Sequence, residues 1–317
     1  MTIENIAVRE DGGLLVTLFH PSASVYTMER PFSDSPSMHL VHTIPDANCT
    51  TGIAEVSPNT FVVANVFLED AATPYLNTTA FWELKWNGYG QAAATRRIAR
   101  VPEARLINGI APIPSLKPAV LAVDCLCGVI LRVDVGAGGY ETVLDVPELK
   151  PVSGGPFDLG ANGIQIRDGY VYWSNSELHP IYRVQIDGQG YPIKGAKVET
   201  VTTVKDTIDV DDFTFDRQGN IWAATNFNNT VVTIDTDGYQ RVAVGSNNDL
   251  TVAGDTAVGF GRTLADEDIL YVTTSGAATF PINGTVVEPG NIVAIDARGN
   301  VQLCFTCMVN MRFNHIE

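Results

Sequence analysis

The chain of 317 residues is 45% hydrophobic and 18% charged, which suits a globular protein with a buried core. Its formal net charge of −16 excludes a nucleic-acid partner, because such a chain cannot neutralise a row of phosphates. The most apolar stretch, 119–135, is interrupted by Asp124 and Arg132, so we expect no membrane span or membrane partner. Residues 1–12 contain no apolar run of a secretory signal, and five cysteines do not form an even-numbered disulfide framework. We therefore expect a cytoplasmic protein.

Six similar segments recur along the chain, each beginning with a polar residue and continuing with alternating apolar positions. In chain order they are 4–8, 51–56, 108–111, 162–166, 211–215 and 255–260. Their starts lie roughly 45 to 57 residues apart, which is the period expected of a four-stranded propeller blade.

A turn and a second strand rich in β-branched and aromatic residues follow each segment, as at 170–175 and 221–226. A third strand is visible in several units, and a more variable fourth strand ends each one. Helical periodicity is nearly absent, and a β-sandwich does not account for six similar units, whereas radial repetition protects strand edges. The sequence therefore predicts an all-β fold, a six-bladed β-propeller with four-stranded antiparallel blades around a central funnel. We expect a single domain over 1–317.

The predicted fold brings two sets of polar residues to one face. Because consecutive strands run antiparallel, the first strands begin at the face where the second strands end. The first strands supply a ring around the axis: Glu4, Thr51, Asn108, Asn162, Asp211 and Asp255. The second strands supply an outer ring: His20, Asn65, Asp124, Asn175, Asn226 and Ser275. Asn and Asp are poor strand formers, so their recurrence at matching positions favours a functional site over turn capping alone.

These rings predict a catalytic set and a substrate-binding set. The predicted catalytic residues are Asn108, Asn162, Asn175, Asp211 and Asn226. The predicted substrate-binding residues are His20, Thr51, Asn65, Phe67, Trp173, Phe227, Asp255 and Ser275. Aromatic rings can stack on a flat substrate, although packing between blades is the commoner role for a residue such as Trp173. Phe67, Phe227 and the insertion 69–79 are predicted to cover the site.

Carboxylates and amides that converge on an axis suit a hard divalent cation, which takes oxygen ligands. The pattern also resembles the regucalcin/gluconolactonase-like family, the senescence marker protein group, over nearly the whole chain. The resemblance implies that Glu4, Asn108, Asn162 and Asp211 hold one divalent cation (calcium, magnesium, manganese or zinc) for lactone hydrolysis. The chain departs from the family pattern at two of these places, where it reads Glu4-Asn-Ile-Ala-Val and Val210-Asp-Asp-Phe.

A narrower resemblance links the chain to filamentous-fungal relatives of this group. The matching segments are Glu4-Asn-Ile-Ala-Val-Arg, Tyr172-Trp-Ser-Asn, Asp211-Asp-Phe and Gly259-Phe-Gly-Arg. These relatives resemble hetero-Diels–Alderases, which join a tropolone-derived o-quinone methide to the terpene humulenol. The resemblance implies a cyclase of fungal secondary metabolism that binds two small molecules in the funnel and requires no cofactor.

Two other functions remain open at this stage. The first is a divalent-metal-dependent lactonase, in which the cation polarises the lactone and Asp211 helps to activate water. The second is a non-catalytic binding propeller, because a propeller fold does not by itself imply catalysis. A site rich in amides and poor in histidine favours the cyclase, since a cycloaddition needs neither proton transfer nor a covalent intermediate. The sequence does not indicate an oligomeric state.

Overall fold

Six four-stranded β-sheets surround a central axis in the computed structural model, which describes residues 1–29, 31, 36–70, 73–86, 93–298 and 305–307. Every sheet is built from four consecutive strands, and neighbouring strands are antiparallel. The six-bladed propeller with four-stranded antiparallel blades that the repeats predict is therefore confirmed.

The strands follow the six repeats in order. Blade 1 contains β1 (Thr2–Val8), β2 (Leu14–His20), β3 (Ser24–Glu29) and β4 (Ser37–Thr43), and blade 2 contains β5 (Cys49–Ser57), β6 (Thr60–Val66), β7 (Ala80–Lys85) and β8 (Ala94–Arg100). Blade 3 contains β9 (Ile107–Pro112), β10 (Ala119–Asp124), β11 (Val129–Asp134) and β12 (Tyr140–Leu144), and blade 4 contains β13 (Ala161–Arg167), β14 (Tyr170–Asn175), β15 (Pro180–Gln185) and β16 (Glu199–Thr203). Blade 5 contains β17 (Phe213–Phe215), β18 (Ile221–Ala224), β19 (Thr230–Ile234) and β20 (Gln240–Gly245), and blade 6 contains β21 (Asp255–Phe260), β22 (Ile269–Thr274), β23 (Ile292–Asp296) and β24 (Phe305–Cys307).

The ring closes through the first strand of every blade. In cyclic order β1 contacts β5, β5 contacts β9, β9 contacts β13, β13 contacts β17, β17 contacts β21, and β21 contacts β1. Successive side chains of a strand point to opposite faces of its sheet, so each blade packs apolar residues against both neighbours. Blades 6 and 1 meet through Ile3, Ile6, Ala257, Tyr271 and Ile292. The two ends of the repeat array are therefore joined by an apolar core.

Helix is confined to short turns in the described residues. Two 3₁₀ helices occur there, Pro147–Leu149 and Asn226–Asn228. In this part of the chain, no helix has both the length and the apolar character needed to cross a membrane.

The first strands are irregular at the places where the polar ring begins. The pairing of β1 with β2 changes register between Ile3 and Ile6, and Glu4 lies within this irregular stretch. The pairing of β13 with β14 changes register between residues 161 and 164, around Asn162. Similar changes occur in the pairings of β5, β9 and β21. An irregular pairing of this kind redirects a side chain, and it is common beside active sites.

Glycines that follow the ring residues allow neighbouring blades to approach closely. A Cβ atom at Gly52 would lie 2.1 Å from the carbonyl oxygen of Asn108 in the next blade. A Cβ atom at Gly109 would lie 2.6 Å from the carbonyl oxygen of Asn162 in the blade after that. No side chain fits at either position, because both neighbours are backbone atoms. The pairing of a polar residue with glycine thus sets how tightly the inner strands surround the axis.

Candidate functional site

A cavity of about 120 Å³ opens at the axis where the first strands begin, and we name it the central cavity. Its polar lining residues are Thr2, Glu4, Asn108, Asn162, Asp209, Asp211, Asn226, Thr256, Ser275 and Thr279, and its apolar ones are Phe19, Leu106, Leu159 and Phe227. These residues come from the inner strands and the loops beside them, in five of the six blades. The structure therefore brings Glu4, Asn108, Asn162 and Asp211 together as the sequence predicts.

Adjacent residues of the chain face opposite ends of the axis. Asp211 lines the central cavity, whereas Asp212 lines a separate cavity of about 440 Å³ that faces all six inner strands. The Asn5 side chain donates a hydrogen bond to Asp212 Oδ2 at 3.2 Å, so that blades 1 and 5 are linked across the axis. The central cavity therefore contains Asp211 but not Asp212.

The central cavity is acidic and has no cationic side chain. The lining that the structure describes includes three carboxyl groups and no lysine, arginine, histidine or cysteine. Burial, and then the charge of Asp212, raises the pKa of Glu4 to about 8, against the opposing effect of its hydrogen bond with Asn108. Burial also raises the pKa of Asp209 to about 7, and it raises that of Asp211 well above its usual range, with further contributions from Glu4 and Asp209. At neutral pH Glu4 is therefore mainly protonated and can donate a hydrogen bond.

Two amide side chains of the cavity donate hydrogen bonds to their neighbours, while two other polar atoms of the wall have no partner. Asn226 donates to Asp211 Oδ2 at 2.7 Å, and Asn162 donates to the Ser176 hydroxyl at 2.9 Å. Asn162 Oδ1 and Ser275 Oγ are buried and have no hydrogen-bond partner. A buried polar atom without a partner costs free energy, so both atoms are candidates for contact with a bound molecule.

Aromatic rings form the outer part of the cavity wall. Phe227 lies in the 3₁₀ helix after β18 and is almost completely buried. Its ring centroid is 4.5 Å from that of Phe157 and 5.6 Å from that of Phe280. Phe19, from the end of β2, lines the other side. Together these rings give the polar cavity an apolar rim that can contact a planar substrate.

Another cavity, of about 350 Å³, adjoins the central cavity, and we name it the flap cavity. It shares Thr2, Phe19 and Thr279 with the central cavity and is also lined by His20, Asn48, Leu68, Glu69, Asp70 and Ala278. The predicted insertion 69–79 thus begins at its edge. His20, predicted to bind substrate, lies in this cavity and not in the central one.

Three of the predicted residues have structural roles in strands, loops and the core. The Asn65 side chain accepts a hydrogen bond from Trp82 Nε1 at 2.8 Å. Asn175 is fully buried and donates to the carbonyl oxygens of residues 148 and 150, both at 3.2 Å. Trp173 is fully buried in the core between blades 3 and 4. None of the three lines the central cavity, because neighbouring backbone or core side chains already surround them.

Three more predicted residues also lie outside the central cavity. Asp255 is completely buried and accepts a hydrogen bond from the Thr225 backbone N–H at 2.9 Å. Thr51 is buried between blades and lines neither cavity. Phe67 is 38% exposed and packs edge-on against Tyr75 of the insertion, with ring centroids 5.7 Å apart. The polar ring thus contributes four of its six members to the cavity: Glu4, Asn108, Asn162 and Asp211.

Sequence reasoning missed several lining residues. Asp209 and Leu159 precede their blades' first strands, and Thr256 lies one residue beyond the predicted ring position Asp255. The irregular pairing at the start of β21 explains Thr256, because it breaks the strict alternation on which the prediction relied, and it is visible only in the structure.

The oxygen donors fit a divalent cation only in part. Glu4, Asn108, Asn162 and Asp211 line one cavity, and the unpartnered Asn162 Oδ1 is a suitable ligand atom. However, no three His, Cys, Asp or Glu side chains among the described residues are grouped closely enough to hold a metal ion. A cation here would therefore depend on amide oxygens for half of the named donors.

The fold and the cavity define a class of protein, a six-bladed propeller with a polar cavity at the start of its inner strands. No family model matches the chain. A curated hetero-Diels-Alderase of Phoma sp is 32% identical over 293 residues, which cover 86% of this chain and 82% of that protein. Another, from Sarocladium schorii, is 29% identical over an alignment of 332 residues, which covers 94% of this chain and 81% of the relative. The chain belongs to the hetero-Diels-Alderase family.

Solved structures with the same fold are more distant in sequence. A luciferin-regenerating enzyme superimposes with a TM-score of 0.62 at 17% identity, covering 92% of this chain and 91% of that one. Regucalcin from Agrobacterium tumefaciens, a calcium-binding protein, gives a TM-score of 0.56 at 17% identity, covering 86% and 81%. At this identity the likeness shows the fold alone.

Proposed function

We propose that the protein is a hetero-Diels–Alderase of fungal secondary metabolism, which joins a tropolone-derived o-quinone methide to the terpene polyene humulenol. The observation that carries the proposal is the central cavity itself. It sets neutral hydrogen-bond donors against aromatic rings, and its described lining contains no pairing of a nucleophile with a base. Membership of the hetero-Diels-Alderase family supports the same reaction class.

The reaction needs no acid–base exchange with the protein. The conjugated C=C–C=O unit of the quinone methide and one C=C bond of the polyene form a new C–C bond and a new C–O bond. No atom is lost, no electron pair leaves the two reactants, and no cofactor is required. Binding both reactants in a reactive geometry can contribute about 7–11 kcal/mol to lowering the barrier of such a bimolecular step.

The described residues supply polarisation as well as position. Electron density moves onto the quinone methide oxygen as the bonds form, so donors aimed at that oxygen stabilise the transition state. Protonated Glu4 and the amide of Asn108 are such donors in the central cavity. Phe19 and Phe227 pack against the planar ring and exclude water. We assign the quinone methide to the central cavity on these grounds.

The test is a cycloaddition assay with the purified protein, an o-quinone methide generated in solution, and humulenol. We expect faster formation of the adduct than in buffer and one predominant stereoisomer by chiral chromatography. Asn162→Ala, which alters the cavity, should lower both rate and selectivity, whereas Asn65→Ala, outside the cavity, should leave the selectivity unchanged. A wild-type rate and product ratio equal to those in heat-denatured protein would exclude this function.

A divalent-metal-dependent lactonase is the second candidate, and the unpartnered Asn162 Oδ1 favours it. Glu4, Asn108, Asn162 and Asp211 would hold the cation, which would supply a Lewis acid for the lactone carbonyl. Plasma mass spectrometry of the purified protein tests this candidate. About one calcium, magnesium, manganese or zinc ion per chain, together with lactone hydrolysis that a chelator abolishes, would support it. A metal-free protein without such hydrolysis would exclude it.

We also propose a cytoplasmic location. The described cysteines Cys49, Cys125 and Cys127 are all free thiols, as expected in a reducing compartment. Microscopy of the tagged protein in the producing fungus tests this placement, and a secreted or vacuolar signal would contradict it.

A further inference from the structure

We propose that the flap cavity binds the terpene reactant while the central cavity binds the quinone methide. This inference rests on the proposed cycloaddition. The central cavity has a volume of about 120 Å³, well below the about 300–1,000 Å³ typical of small-molecule sites. It therefore cannot enclose two reactants. The flap cavity, at about 350 Å³, falls within that range and lies directly beside it.

The chemistry of the flap cavity suits an unsaturated hydrocarbon that carries a single polar group. Phe19, Leu68 and Ala278 supply an apolar surface. His20 supplies a polar side chain at the edge, where a hydroxyl group of a terpene alcohol can be bound. The central cavity, with its three carboxyl groups, suits the oxygen-rich reactant instead. Glu69 and Asp70 also line the flap cavity, but both are exposed, whereas the three carboxyl groups of the central cavity are buried. The enclosed part of the flap cavity is therefore the less polar of the two.

The flap cavity is preformed, because its outer wall is fixed by hydrogen bonds. The Asn48 side chain donates to the Leu68 carbonyl and accepts from the Leu68 N–H, both at 2.8 Å. Leu68 also pairs with Pro74 in an antiparallel bridge, and the Tyr75 N–H donates to the Phe67 carbonyl at 2.9 Å. The loop before β5, through Asn48, and the insertion, through Pro74 and Tyr75, are therefore both attached to the residues that follow β6. A preformed cavity binds its ligand without the entropic cost of ordering a loop.

The boundary between the two cavities fixes where the reactants meet. Thr2, Phe19 and Thr279 line both cavities, and Phe19 is the one large side chain among them. Reactants bound on either side of this boundary meet at its edge, where the new C–C and C–O bonds would form. Phe19 thereby limits which faces of the two reactants come into contact, and we assign it a role in stereoselectivity.

The experiment fills the flap cavity and leaves the central cavity intact. Ala278 lines the flap cavity alone and is exposed, so Ala278→Leu and Ala278→Trp add side-chain volume there without disturbing the core. Ala137→Trp is the matched control, because Ala137 lies on an exposed turn of blade 3 and lines neither cavity. Steady-state kinetics are measured for each reactant in turn, and binding of humulenol alone is measured by titration calorimetry.

We expect Ala278→Trp to raise the KM for humulenol and its Kd at least tenfold, and Ala278→Leu to raise both by less. The KM for the quinone methide should stay within about twofold, and Ala137→Trp should match the wild type. An unchanged humulenol KM in an active Ala278→Trp variant, or a raised KM for the quinone methide instead, would overturn the assignment. A different result would separate the two proposals. If the wild type binds humulenol but forms no adduct, and Ala278→Trp weakens that binding, the cavity assignment is upheld and the proposed function is excluded.

Discussion

Glu4 is the residue at which the electrostatics of the central cavity can be tested most directly. Two replacements separate its roles as a hydrogen-bond donor and as an acid that titrates. Glu4→Gln keeps a neutral donor of nearly the same shape, whereas Glu4→Leu keeps most of the volume and removes the donor. If the protonated carboxyl group polarises the quinone methide, Glu4→Gln should remain active at all pH values. Glu4→Leu should be slower than Glu4→Gln at every pH, and slower than the wild type below about pH 8.

The expected change in rate follows from the pKa of Glu4 and from the contribution of one hydrogen-bond donor to the stability of the transition state. With a pKa of about 8, Glu4 is mainly protonated at pH 7 and only about one-tenth protonated at pH 9. The wild-type rate should therefore fall about tenfold between these pH values. Removing one preorganised donor costs about 10²–10³-fold in reactions that form a full oxyanion. Less charge develops in a cycloaddition, so we expect Glu4→Leu to lose about tenfold, equivalent to about 1.4 kcal/mol.

The assay is the initial rate of adduct formation from pH 5 to pH 9, after subtraction of the uncatalysed rate at each pH. Asp255→Asn is the matched control, because Asp255 is a buried carboxyl group of raised pKa that lies outside both cavities. Its rate–pH profile should match that of the wild type. A Glu4→Leu variant as fast as the wild type, or a Glu4→Gln variant that keeps the fall in rate above pH 8, would refute the reasoning.

Three further predictions concern stability. The pKa of Glu4 (about 8) and that of Asp212 (about 7) exceed the unfolded values of about 4.3 and 3.9. The folded state therefore binds more protons than the unfolded state, and the free energy of unfolding should fall as the pH rises from about 4 to about 8. Urea denaturation at several pH values measures this, and a stability that rises over the same interval contradicts it. Ser174→Ala should cost about 1–3 kcal/mol in the same assay, because Ser174 Oγ accepts from the Gly163 N–H at 2.8 Å and donates to the Asp211 carbonyl at 2.6 Å. Ser115→Ala is its control at within about 0.5 kcal/mol, because the Ser115 hydroxyl donates to the Lys117 carbonyl in an exposed turn. Equal losses in the two variants would show that the buried pair contributes nothing. Gly109→Ala should lower the melting temperature strongly, because the new Cβ atom would lie 2.6 Å from a backbone oxygen. Gly139→Ala is its control, because there is open space around Gly139. Similar melting temperatures for the two variants would show that the inner strands can move apart.

The repeat pattern was sufficient for the fold but only partly so for the site. Alternating strands and turns at a constant period specify blades, and antiparallel strands place the starts of the first strands at one face. That reasoning brings Glu4, Asn108, Asn162 and Asp211 into one cavity, as observed. It could not separate these residues from Asn175, because an amide at a strand end looks the same in the sequence whether it faces the cavity or a loop.

Asn175 and Asp124, which the sequence places at the site, form hydrogen bonds with residues that are distant in the chain. The amide of Asn175 bonds to the carbonyl oxygens of Glu148 and Lys150, which belong to the loop after blade 3. Asp124 likewise accepts hydrogen bonds from the backbone N–H groups of residues 105, 106, 126 and 127, and therefore caps a turn. The contacts of Asp124 with residues 126 and 127 are a local turn, but no local pattern encodes those with residues 105, 106, 148 and 150. Irregular loops between blades thus decide which polar residues of a propeller remain available to a ligand.

The acidity of the central cavity has a further chemical consequence for a reactive substrate. A quinone methide is an electrophile that thiolates and amines add to readily. The cavity wall that the structure describes has no lysine, histidine or cysteine, and the nearby thiols of Cys49 and Cys125 are buried beneath it. Burial raises the pKa of both thiols well above its usual value, and the charge of Asp124 adds to the effect at Cys125. Because the thiolate is the reactive form, both cysteines are kept inert. Burial therefore has two effects here: it keeps Glu4 protonated as a hydrogen-bond donor, and it keeps the neighbouring thiols unreactive towards the substrate.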